Sequence, residues 1–148
     1  GETEQEMVER ILWAHQIGAR VSLFALPPVR GTALAGHSQP LLEVYRRLQA
    51  ASWSIVHHGA RLQDFIFSQG GVLQDIDLGK AGSLAESPSC VDSGAFCTSG
   101  CPGCNRPFYN ERPGGQMYNY ARPLTPTEAK RACSEMALVS RAQVKDEG

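Results

Sequence analysis

The chain has 148 residues, 42% hydrophobic and 20% charged, with a formal net charge of −1. That balance is that of a folded globular domain and removes the electrostatic basis for binding nucleic acid or an anionic membrane. No apolar run approaches the ~20 residues that span a bilayer, so neither class of partner is expected.

The opening residues, Gly1-Glu2-Thr3-Glu4-Gln5-Glu6, are acidic and do not read as a signal peptide. They suit the interior of a longer protein better than its start. Residues 3–17 predict a helix. Thr3 and Glu6 form a capping-box pattern, and Met7, Val8, Ile11, Leu12 and His15 share one face. His15 reads as a core-edge residue rather than a ligand. Gly18 stops the helix. Residues 20–26 form a short apolar run that predicts a buried strand in a parallel sheet, ended by Pro27-Pro28. A loop from Val29 to Gln39 leads to a second helix over 40–58, with Pro40 in its first turn and Gly59 as its stop. His57 and His58 at its end read as surface groups that complement the helix dipole.

Helix, strand, loop and helix in that order is the grammar of an α/β repeat. The period changes after residue 60. Residues 61–78 predict a β-hairpin around Ser68-Gln69-Gly70-Gly71, and 79–96 a Gly/Ser/Pro-rich loop. Residues 105–127 carry too many Pro and Gly breakers for a regular element. Residues 126–143 predict a closing helix, with Thr125 as cap and Glu128 in the capping-box position. The last residues, 145–148, are expected to fray.

The densest chemistry lies at Cys97-Thr98-Ser99-Gly100-Cys101-Pro102-Gly103-Cys104, with Cys90 just upstream. Five cysteines is an odd number, and none precedes residue 90. That clustering argues against a disulfide framework and for a metal centre in a reduced compartment, with a cytoplasmic location expected. Structural zinc favours paired Cys-x2-Cys knuckles, and only Cys101 to Cys104 has that spacing. Iron–sulfur clusters accept more varied spacings. An iron–sulfur centre is the favoured reading, and a zinc-stabilised binding module without chemistry is the alternative. Three thiolates on a four-iron cluster leave one iron open, so whether Cys90 is the fourth ligand decides the chemistry. Cys133, on the closing helix, reads as a small buried hydrophobe.

These stretches resemble a known family. Gly1-Glu2-Thr3-x-x-Glu6, the run Val21-Ser22-Leu23-Phe24-Ala25-Leu26 and the loop Pro28-Val29-Arg30-Gly31-Thr32-Ala33-Leu34 resemble the second half of a biotin-synthase-like radical S-adenosylmethionine enzyme. Ala33 stands where that family usually has Pro. Gly100-Cys101-Pro102-Gly103-Cys104-Asn105-Arg106-Pro107-Phe108-Tyr109-Asn110-Glu111-Arg112-Pro113-Gly114-Gly115 and Tyr118-Asn119-Tyr120-Ala121-Arg122-Pro123-Leu124 resemble a C-terminal extension within that family. The branch suggested is the two-component lipoyl synthases of archaea and some bacteria. The implied fold is α/β: residues 1–60 as the C-terminal part of a partial TIM barrel, and 61–148 as a hairpin and irregular cysteine-rich tail. The family's radical-generating motif has the spacing of Cys97-x3-Cys101-x2-Cys104, but lies N-terminal to the Gly-Glu-Thr segment. Here the motif follows it, and Gly103 replaces the usual aromatic residue. The resemblance therefore implies an auxiliary 4Fe-4S cluster, with the radical-generating motif in a missing N-terminal half.

The resemblance implies that Gly1 and Glu2 support the methionine and ribose of S-adenosylmethionine, and that backbone from Leu23 to Ala25 lines the adenine. Cys97, Cys101 and Cys104, with Cys90 as a fourth candidate, would hold the auxiliary cluster. Arg112, Tyr118 and Arg122 are candidates for gripping a substrate carboxylate or closing the site, with ordinary loop packing as the equal alternative. The implied activity is sulfur insertion into an unactivated C–H bond. A 5′-deoxyadenosyl radical would abstract hydrogen and a cluster sulfide would be donated. The alternative is a cluster used for substrate binding or electron transfer. The implied partners are a small-molecule or octanoyl-protein substrate and a reductant such as ferredoxin or flavodoxin. The chain alone is expected to lack radical activity.

Overall fold

A computed structural model describes residues 1–87, 93–99 and 114–139. These form a small α/β domain of three α-helices and one two-stranded antiparallel sheet. Helix α1 spans Glu4–Gln16, α2 spans Leu42–His58, β1 spans Phe65–Phe67, β2 spans Leu73–Ile76, and α3 spans Pro126–Ser134.

Each helix starts and stops where its local chemistry requires. Thr3 accepts from the Glu6 amide, and the Glu6 carboxylate accepts from the Thr3 amide at 2.7 Å, closing the expected capping box. α2 ends at Gly59, which takes φ 66, a left-handed cap that costs glycine little. Thr125 and Glu128 close a second capping box around Pro126. The hairpin pairs Phe65 with Ile76 and Ile66 with Asp75, then shifts register before Phe67 meets Leu73. Gly71 is required twice over in its turn. Its φ is +75, and an added Cβ would lie 2.9 Å from the Thr3 Cβ.

The core brings Val8 and Ile11 of α1 and Leu48, Ala51 and Ile55 of α2 against Phe65, Leu73 and Ile76 of the hairpin. Leu84 and Phe96, from a stretch read as loop, are fully buried there too. Asp75 orders the loop carrying Leu84. Its buried carboxylate accepts from Ser83 Oγ at 2.6 Å and the Ala85 amide at 2.8 Å.

Three expectations change. Residues 20–26 form no strand. A strand needs a hydrogen-bonded neighbour, and among the described residues the only sheet is the hairpin. Its strand-like alternation survives all the same. Val21, Leu23 and Ala25 pack inward, while Phe24 is 50% and Leu26 37% exposed. No parallel sheet of a half barrel is present among the described residues, and their one parallel pairing is the isolated bridge between Cys97 and Tyr120. The closing helix ends at Ser134 rather than 143, where the chain turns through Ala137 at φ 48. That turn delivers the Met136 carbonyl to Arg47 and the Val139 amide to the Gln74 carbonyl. Residues 140–148, including the end predicted to fray, lie outside the described residues.

The face of α2 that looked apolar is only part of what it buries. Residues 45–51 are buried without interruption, Arg46, Arg47 and Gln49 among them. Arg47 makes a bidentate pair with Glu4 at 2.8 and 2.7 Å and donates to the Met136 carbonyl at 2.8 Å. Glu4 also accepts from the Leu73 amide at 3.1 Å. Arg46 donates to Glu135, Gln49 and the carbonyls of Met117 and Tyr118. It also lies 5.5 and 5.4 Å from the ring centroids of Phe96 and Tyr120.

Glu4→Ala would strand the Arg47 guanidinium in the core. We expect a loss of about 3–5 kcal/mol. The double variant Glu4→Met/Arg47→Met should recover most of it, because no uncompensated charge remains. Urea unfolding measures both, and a double variant as unstable as Glu4→Ala would refute the account.

Candidate functional site

Of the sequence-derived site residues, Cys90, Cys101, Cys104 and Arg112 lie outside the described residues. Cys97 is described and is firmly placed. A short 3-10 turn, Ser93–Phe96, ends with Phe96 fully buried. The chain then meets the segment around Tyr120. The Tyr120 amide donates to the Phe96 carbonyl at 3.0 Å, and the Thr98 amide to the Tyr120 carbonyl at 2.8 Å. Cys97 is half-buried between these bonds, and its Sγ donates to the Arg122 carbonyl at 3.2 Å. Cys97 is thus anchored to the core through its neighbours on both sides.

Tyr118 and Arg122 belong to that anchoring segment. Tyr118 is buried, its hydroxyl donates to the Pro40 carbonyl at 2.7 Å, and its ring meets Tyr45 edge-on at 4.8 Å. Arg122 is exposed and bound two-pronged by Glu128 at 2.9 and 2.8 Å. The Arg122 contact, with the Thr125 amide and hydroxyl, pulls the Glu128 carboxyl down to about 2. The same carboxylate raises the Arg122 pKa. Both side chains therefore make definite protein contacts here. Burial pushes the thiol of Cys133 up, in keeping with its place against the core.

Gly1 and Glu2 are exposed ahead of α1. Leu23 is half-buried and its carbonyl accepts from the Tyr45 hydroxyl at 2.7 Å, while Ala25 is 1% exposed beside Tyr45 and Tyr118. The structure brings the Leu23 segment and the cysteine segment together. Ser22 Oγ donates to the Ser99 carbonyl at 3.4 Å. Around that contact opens a cavity of about 700 Å³, walled by Val21 and Leu23 on one side and by Gly94, Ala95, Thr98 and Ser99 on another. The ends of α1 and α2 complete it with His15, Trp53 and His57. Gly1, Glu2, Ala25, Cys97, Tyr118 and Arg122 are not among its lining residues.

Sequence reasoning passed over His15 and His57 as edge and surface groups. Their shared position, one in the last turn of each long helix, was the available signal. Trp53 stacks on His57 with ring centroids 3.6 Å apart. No family model, curated protein or solved structure matches the chain.

The Glu128 contacts give a pH dependence of definite sign. A carboxyl held near 2 when folded, against 4.5 ordinarily, adds stability that is complete above 4.5 and is lost as pH falls toward 2. Glu128→Gln should lower the melting temperature at neutral pH and flatten its fall across that acid window. Glu6, also lowered by its Thr3 contacts, keeps a residual slope. Parallel melting curves for the two proteins would refute the assignment.

Proposed function

We propose that this chain is a C-terminal portion of a radical S-adenosylmethionine enzyme, carrying an auxiliary iron–sulfur cluster and serving sulfur insertion into C–H bonds. The observation that supports the reading is one cavity bordered by Leu23, the first residue of the stretch from Leu23 to Ala25 that resembles the adenine-lining backbone, and by Thr98 and Ser99 of the cysteine motif; Ala25 and Cys97 themselves do not line it. Two stretches far apart in sequence, each implicated separately by resemblance, meet at one place.

The donor set fits an iron–sulfur centre. Cys97, Cys101 and Cys104 would hold it, with Cys90 as the fourth candidate, and cysteine thiolates are its usual ligands. When bound, such a centre supplies an open iron or a transferable sulfide. The protein's own part is positional. The bonds from Phe96 and Thr98 to Tyr120 fix the first cysteine. The Leu23 carbonyl is held in place by Tyr45. In this reading residues 20–26 become a sheet strand when a neighbouring strand is supplied, which their preserved alternation supports.

Anaerobic reconstitution with iron and sulfide tests the proposal. We expect iron and acid-labile sulfide in about equal amounts, lost on replacing Cys97, Cys101 or Cys104 by Ala. Tight zinc without acid-labile sulfide would overturn it in favour of a zinc-stabilised module.

A further inference from the structure

We propose that Arg46 is the positioning residue of the first cysteine in the motif: from inside α2 it holds together the two chain segments that place Cys97. The proposal deepens the preceding reading and rests on it only for what the motif binds.

Cys97 is placed by its own segment and by the one that runs from Met117 to Arg122. It bridges to Tyr120, and its Sγ donates to the Arg122 carbonyl. The position of the thiol therefore depends on where the two segments meet. The Arg46 guanidinium lies at that meeting. It is 5.5 Å from the ring centroid of Phe96, the residue before Cys97. It is 5.4 Å from the ring centroid of Tyr120, the residue bridged to Cys97. It also donates to the carbonyls of Met117 and Tyr118, which lead into Tyr120. One cation thus meets the first segment at a ring and the second at a ring and two carbonyls.

The orientation of that cation is itself fixed. Its Nε donates to Glu135 at 3.0 Å and its Nη1 to Gln49 at 2.8 Å. Arg46 is 1% exposed and Phe96 is fully buried, so water does not substitute for these contacts. A lysine would keep the charge but lose the planar fork that serves rings and carbonyls together. Arg47 is the internal comparison. It is adjacent and comparably buried, yet its bonds go to Glu4 and the Met136 carbonyl.

Alkylation of the folded, metal-free full chain with iodoacetamide, read at Cys97 by peptide mass spectrometry, tests this. Arg46→Lys loosens the meeting of the two segments and should raise the Cys97 rate about tenfold. Arg47→Lys should leave that rate at the wild-type value, although it too perturbs a buried cation. Glu135→Gln alters neither segment but weakens the hold on the Arg46 Nε, and should raise the Cys97 rate about threefold. Thermal melting confirms that each variant is folded, and Glu135→Gln decides the matter if Arg46→Lys is not. A Cys97 rate unchanged in the folded Arg46→Lys or Glu135→Gln protein, or raised as much by Arg47→Lys, would overturn the proposal. The assay contains no iron, so failure of cluster assembly and failure of this assignment are read separately.

Discussion

Two adjacent arginines buried in the first half of α2 tie together segments from across this domain. Taking a guanidinium out of water costs several kcal/mol unless its donors are satisfied. Here Arg47 reaches back to Glu4 at the start of α1 and forward to the Met136 carbonyl beyond α3. Arg46 reaches the carbonyls of Met117 and Tyr118 and the Glu135 carboxylate. Because neighbours on a helix point about 100° apart, one step of sequence serves two sectors of the core. Breaking either set leaves a charge where water cannot reach it. The helices, the hairpin edge and the aromatic tail are thus positioned by polar contacts as much as by apolar packing.

Elements governed by local chemistry were legible in the sequence. Both capping boxes, the Gly59 stop and the hairpin with its glycine turn follow from short-range rules. What depended on distant partners was not. The run at 20–26 has strand composition, but a strand is a relation between two segments, and composition names only one of them. The closing helix stops at Ser134, and the Met136 carbonyl beyond it accepts from Arg47, a contact no periodicity reveals. Leu84 and Phe96 sit among glycines and serines, and their burial depends on where Asp75 and α2 place the loop.

The site divides in the same way. Cysteine spacing could suggest a donor set, with an iron–sulfur centre favoured and zinc as the alternative. It could not show that the first cysteine is tied to Tyr120, or that Tyr118 and Arg122 hold that segment to Pro40 and Glu128. Nor could it show that residues near 22 and 99 touch. The histidines closing two helices are unremarkable separately. They acquire meaning only when α1 and α2 end beside one cavity.

The span of the arginine contacts also bears on how the chain is made. Arg46 to Glu135 and Arg47 to Met136 are each separated by 89 positions. A ribosome releases α2 long before those acceptors. Before the aromatic tail and last helix emerge, Arg47 has its Glu4 partner but not the Met136 carbonyl, and Arg46 has only Gln49 of its own helix as an acceptor. The full set of contacts around Arg46 is therefore complete only once the aromatic tail and last helix are present.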